Sequence, residues 1–167
     1  MANEIAKRLN RPINIEGTQF SGLIPGLNAK KYDWIAAPTT VTPERAKALL
    51  FTEGYLDTDF QFLVKRADPE IKGLDDLKGK TIGVQTATIH ADYAQKYFKD
   101  STVKVYDTAD NHNADLVAGR IDYALLDSVA ADDFAKANAA KGIEGKLIVP
   151  GDPIFGVGAG AGLRKGD

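Results

Sequence analysis

Three short stretches of this chain carry residue types that could hold a small charged molecule. In the first, Thr39 and Thr40 precede Thr42-Pro43-Glu44-Arg45. A threonine, a proline and an acid in that order read as an N-cap, a first-turn proline and a first-turn carboxylate, so a helix is expected from there through Arg45 to Leu50. Backbone N–H groups at a helix start favour an anion. Arginine can hold a carboxylate through two parallel hydrogen bonds, which lysine cannot match. The same spacing also suits a plain cap at Thr42, with Arg45 on a solvated face. In the second stretch, Thr86-Ala87-Thr88 forms a small polar turn into a helix, with His90 one turn inside it. This suits a carboxylate, or else a simple cap at Thr88 and a solvent-facing His90. In the third, Asp127 follows the apolar run Ala124-Leu125-Leu126. Its carboxylate can accept from a ligand ammonium or cap a helix beginning near Val129. Phe20 reads as core or as an exposed platform for a ligand.

Other chemistries find little footing. The chain has no cysteine, so thiolate metal sites, disulfides and cysteine nucleophiles are absent. Its two histidines, His90 and His112, lack ligand-type spacing, so no metal is expected. There is no G-x-S-x-G and no phosphate loop, and the glycine run at residues 156–162 precedes no helix. With 21 basic and 23 acidic residues interspersed, the net charge of −2 lacks the basic surplus of a nucleic-acid binder. No apolar run is long enough to span a bilayer, and no export signal is read at the start.

These residues need elements to position them. Ile5 and Leu9 predict an amphipathic helix over Ala2–Leu9, and Ile13 with Ile15, after Pro12, predicts a strand. A helix is expected around Leu23, Ile24 and Leu27, then a buried strand at Trp34–Ala37. The alternation of Phe60, Phe62 and Val64 predicts a strand over Asp59–Lys65, followed by a turn-rich passage over Ala67–Gly79. Strands are expected at Thr81–Gln85, around Val103 and Val105, at Tyr123–Leu126 and at Lys146–Val149. Helices carrying Tyr93, Tyr97 and Phe98, then over Ala114–Ala118 and Val129–Ala140, separate them. Strands alternating with helices imply parallel pairing and an α/β fold, whose ligands bind beyond the carboxyl ends of strands. The late glycines would suit a bending segment.

Several motifs occur together in one order: Phe20-Ser21-Gly22-Leu23-Ile24-Pro25-Gly26-Leu27, Lys31-Tyr32-Asp33 and Thr40-Val41-Thr42-Pro43-Glu44-Arg45. They continue with Leu74-Asp75-Asp76-Leu77-Lys78-Gly79-Lys80-Thr81-Ile82-Gly83-Val84, Ala118-Gly119-Arg120-Ile121-Asp122-Tyr123 and Gly162-Leu163-Arg164-Lys165-Gly166-Asp167. Along essentially its whole length the chain resembles the polar amino-acid-binding proteins that serve ABC importers. The resemblance implies a two-lobed, type II periplasmic-binding-protein-like α/β fold with mixed, mainly parallel sheets. It divides the chain into an incomplete first lobe at 1–64, a second lobe at 65–156 and a return hinge segment at 157–167. It implies a ligand-binding site without catalytic residues, metal or cofactor. Phe20 would wall the ligand side chain, and Arg45 would clamp the α-carboxylate with Thr40 and Thr88. Asp127 would take the α-amino group, Pro38 would offer its carbonyl although a small polar residue is usual there, and His90 would line the pocket.

The implied ligand is an amino acid of the arginine, lysine, ornithine, histidine or glutamine type. The implied partners are the membrane subunits of an ABC importer, with a periplasmic or extracellular location. Family members carry a strand and ligand-facing loop before, and helices after, the region matched here. Self-association into a homo-oligomer, or exchange of segments between chains, is therefore expected. Two other readings stay open. One is a dehydratase-type enzyme on the same scaffold, which needs a general acid in the cleft. The other is an oligomeric remnant that no longer binds a ligand.

Overall fold

The structure is a computed structural model describing residues 1–57, 59–65, 71–149 and 158–166. Two sheets organise it. In the smaller, β1 (Trp34–Thr40) and β2 (Leu49–Phe51) flank β8 (Ala159–Arg164), which runs antiparallel to both. The larger contains β3 (Phe60–Lys65), β4 (Thr81–Gln85), β5 (Thr102–Tyr106), β6 (Tyr123–Asp127) and β7 (Ile143–Val149) in the order β5-β4-β6-β3-β7. Helices α1 (Ala2–Arg8), α2 (Leu23–Asn28) and α3 (Pro43–Ala48) precede or accompany the first sheet. Helices α4 (Ile89–Tyr97), α5 (Ala109–Val117) and α6 (Ser128–Ala137) each follow a strand of the second.

The sheets are mixed, but the expectation of mainly parallel pairing is corrected. Among the described residues β4 pairs parallel with β5 and β6, whereas β3 runs antiparallel to β6 and β7. The reason is connectivity: a helical crossover returns the chain to the same end of the sheet and makes the strands it joins parallel. β3 instead follows β2 of the other sheet, and β8 follows β7, with no helix among the described residues before either.

β3 also departs from the one-sided burial that Phe60, Phe62 and Val64 suggest, since Phe60 to Val64 are all buried. Phe60, Phe62 and Val64 pack with Ile82, Val84 and Tyr123, while Leu63 packs on the opposite face with Leu116, Ile121 and Ala131. An inner strand covered on both faces loses its alternation. The expected division at residue 65 thus meets a strand that hydrogen-bonds wholly within the five-stranded sheet.

Other differences are local. Residues 11–19 form no regular element and Ile15 is exposed; among the described residues β1 pairs with β8 alone, so no strand from this segment extends the small sheet. α1 stops at Arg8 and leaves Leu9 exposed. α3 stops at Ala48 because Leu49–Phe51 is drawn into pairing with β8. α5 starts earlier than expected, capped by Thr108, whose Oγ accepts from Asn111 N at 3.2 Å. α6 ends at Ala137, short of Ala140.

The glycine run divides. Residues 150–157 lie outside the described residues, as do 66–70 of the expected turn-rich passage. Beyond them Ala159–Arg164 is an ordered central strand and not a bend. Gly162 suits it, since a Cβ there would stand 3.2 Å from Leu49 Cδ1 and 3.4 Å from Ile35 Cδ1, the core of the small sheet.

Candidate functional site

All seven residues singled out in the sequence line one cavity of about 200 Å³. Phe20, Pro38, Thr40 and Arg45 come from the side of the small sheet, and Thr88, His90 and Asp127 from the carboxyl ends of strands in the large one. Gln85, Ala109 and His112, which sequence reasoning did not select, join them.

Local chemistry fixes each wall. Thr42 caps α3 as expected, its Oγ accepting from Arg45 N at 3.0 Å, with Pro43 in the first turn. This sets Arg45 so that its guanidinium donates to Thr40 O at 3.0 Å and to Ala87 O at 2.9 Å. One side chain therefore joins the end of β1 to the turn after β4. Ala87 lies in that turn with a left-handed φ of 59°, unusual for a residue with a side chain. The Phe20 ring centroid is 5.5 Å from Arg45 Cζ, a cation–π distance, so the aromatic wall also supports the guanidinium. Burial lowers the Arg45 pKa from its ordinary value, and the carboxylates of Asp92 and Asp127 oppose that shift. An arginine shifted this way still carries its charge at neutral pH.

On the opposite wall, Thr88 caps α4, accepting from Ala91 N at 3.2 Å and donating to Gln85 O at 2.6 Å. The cap is confirmed, but the solvent-facing alternative for His90 is not, since His90 is only 6 % exposed. Its ring centroid lies 4.7 Å from that of Phe60, and its Nε2 stands 3.5 Å from Asp127 Oδ1. Asp127 occupies the N-cap position of α6, yet its side chain makes no capping hydrogen bond. The carboxylate is partly exposed to the cavity. Pro38 and Thr40 both belong to β1 at the rim.

His112 lies in the first turns of α5, where an Asn-His-Asn sequence suggests a solvated face. It is fully buried instead. Burial pushes its pKa down to about 4, with the neighbouring His90 acting in the same direction, so the imidazole is neutral at neutral pH. The signal that could have found it is Thr108, which follows β5 and caps α5 just as Thr88 follows β4 and caps α4. The cavity thus combines one arginine, one carboxylate, the starts of α4, α5 and α6, and two imidazoles.

Over residues 1–167 the sequence matches the family described as bacterial extracellular solute-binding proteins, family 3. The chain belongs to this family. It is 33 % identical over 171 residues to the histidine-binding periplasmic protein of Escherichia coli (strain K12), covering 100 % of this chain and 66 % of that protein. To the lysine/arginine/ornithine-binding periplasmic protein of the same organism it is 34 % identical, again covering 100 % and 66 %. Among solved structures it is similar to an ancestral arginine-binding protein bound to arginine, with a TM-score of 0.91 and 32 % identity over 99 % of this chain and 73 % of that one. The α/β fold with mixed sheets is therefore that of the periplasmic binding proteins, of which the described chain is a part. Family and relatives alike are named as binding proteins, which lends no support to the dehydratase alternative.

Proposed function

We propose that this chain is the solute-binding component of an ABC-type amino-acid importer and holds a single amino acid in the cavity between its two sheets. The observation that carries the reading is the convergence of Arg45 and Asp127, from different sheets, on one small space with no other carboxylate lining it among the described residues. An α-amino acid presents the complementary pair of charges. Arg45 uses donors on Thr40 O and Ala87 O, which hold the guanidinium in place, and its remaining N–H groups clamp the α-carboxylate together with Thr40 and Thr88. Asp127 takes the ammonium, assisted by the Pro38 carbonyl, and Phe20 lies against the ligand side chain. His90 lines the same space.

The two sheets form the cores of two lobes that close on the ligand, with the connections between β2 and β3 and between β7 and β8 as the passages between them. By analogy with the named relatives the ligand is of the arginine, lysine, ornithine, histidine or glutamine type, the partners are importer membrane subunits, and the location is the periplasm or cell exterior. Exposed Leu9, Ile15 and Leu50 support self-association as a homo-oligomer, which light scattering at increasing concentration tests. For the binding reading, calorimetric titration against single amino acids should show saturable uptake that vanishes in Arg45→Ala and in Asp127→Ala. Affinity untouched by both substitutions would sink the assignment.

A further inference from the structure

Gln61 is a buried amide in the middle of the apolar strand β3, 6 % exposed, between Phe60 and Phe62. It shares a face of the strand with Leu63, which packs against Ala131 of α6. A polar group there needs partners, because an unpaired buried amide is costly. It finds them in α6. With its amide nitrogen assigned toward that helix, Gln61 donates to Ser128 O at 3.1 Å and to Asp132 Oδ1 at 3.2 Å, whereas the opposite assignment would set its oxygen against acceptors. β7 makes the room: a Cβ on Gly145 would stand 2.5 Å from one end of the amide and 3.0 Å from its carbon.

These bonds matter because β6 runs into α6 without a loop. Asp127 is the last residue of β6 and the N-cap of α6, so the placement of the helix start governs where its carboxylate points. An aspartate at that position ordinarily accepts from first-turn N–H groups. This one makes no capping bond. The helix start is fastened from β3 instead: Ser128 N donates to Asp59 O at 2.9 Å, and Gln61 holds Ser128 O and Asp132. β3 is in register for this, since Phe60 pairs with Asp127 and Gln61 with Leu126.

We infer that Gln61 is a positioning residue for ligand binding: it anchors the start of α6 so that the Asp127 carboxylate is directed to the ligand ammonium and not back onto its own helix. The inference rests on the amino-acid-binding reading above, in which Asp127 takes the ammonium, and extends it to a side chain that does not line the cavity. Without the anchor α6 settles with Asp127 as an ordinary N-cap, and the carboxylate is divided between ligand and helix. The loss falls on binding more than on folding. An apolar side chain of similar size removes the desolvation cost of the amide along with its bonds, and Asp132 is exposed to water.

The test compares the 167-residue chain with Gln61→Leu and Gln61→Met by calorimetric titration with arginine, histidine and glutamine. Affinity for whichever of the three binds should fall about five- to tenfold in both variants. Backbone ¹H–¹⁵N spectra without any amino acid supply a second readout: the N–H signals of Val129 and Ala130 should move as Asp127 turns to cap them. On an Asp127→Ala background the Gln61 substitutions should leave those two signals in place. Asp132→Ala, a change at the surface, should weaken binding in the same direction by about threefold, and it keeps the test decisive where a Gln61 variant fails to fold. Unchanged affinity in these variants, or equal movement of the two signals with and without Asp127, would overturn the positioning role while leaving the amino-acid site standing. Failure of the unaltered chain to bind any of the three would overturn the amino-acid reading and the positioning role together.

Discussion

Acidification should destabilise this protein through His112 before its carboxylates titrate. The imidazole is fully buried, and its pKa falls from 6.5 to about 4 chiefly because burial disfavours the charged form. Below 6.5 the unfolded chain takes up a proton at this position that the folded chain refuses until about pH 4. The unfolded state therefore binds more protons in that window, and folding stability must decline as pH falls through it. The stability is fully present above pH 6.5, decreases toward pH 4 and levels off below. Linkage between these two values gives a loss of about 2 kcal/mol from pH 7 to pH 5, approaching about 3 kcal/mol at the lower end. Urea unfolding at pH 7, 6 and 5, read by circular dichroism, measures it directly. His112→Asn, which cannot titrate, provides the comparison and retains His90, so that any contribution of His90 cancels. The wild type should lose about 2 kcal/mol more than the variant between pH 7 and pH 5. Equal losses in the two proteins would refute the assignment of a buried, neutral His112.

Gly83→Ala should cost about 1–3 kcal/mol in urea unfolding, because its Cβ meets Ile121 at 2.6 Å and His112 at 2.9 Å. Thr88→Ala removes the cap of α4 and a bond to Gln85 O, with an expected loss of about 1 kcal/mol by the same assay. Arg45→Lys keeps the charge but cannot reach Thr40 O and Ala87 O while also clamping a carboxylate with two bonds, so calorimetry should show affinity reduced by about tenfold or more. Ala87→Gly relieves a left-handed φ of 59° and should raise the urea midpoint, corresponding to about 0.5–1 kcal/mol.

Where local sequence and local structure obey the same rule, the chain was readable. The Thr42-Pro43 cap, the Thr88 cap, and β4 and β6 with their buried apolar runs sit within a residue or two of their expected places. That placement carried Arg45, Thr88 and Asp127 to strand and helix ends, where α/β folds bind ligands. Legibility failed where a residue's state depends on a distant neighbour. Leu49–Phe51 reads as the end of a helix until β8 pairs with it, and Ile13 with Ile15 reads as a strand although no strand among the described residues pairs with it. His112 looks like part of a polar helix face until Gly83, far earlier in the chain, leaves space beneath it.

The sequence by itself determined the starts of α3 and α4, the alternation of strands with helices and the residue types able to hold a zwitterion, because capping, burial periodicity and side-chain charge are properties of a few adjacent residues. Only the tertiary structure decided that β3 and β8 run antiparallel to their neighbours, that Arg45 reaches Ala87 across 42 positions of chain, and that two imidazoles are buried beside one cavity. Those outcomes depend on the direction in which the chain enters each sheet and on which side chains leave room for others, and neither is encoded within any short window of sequence.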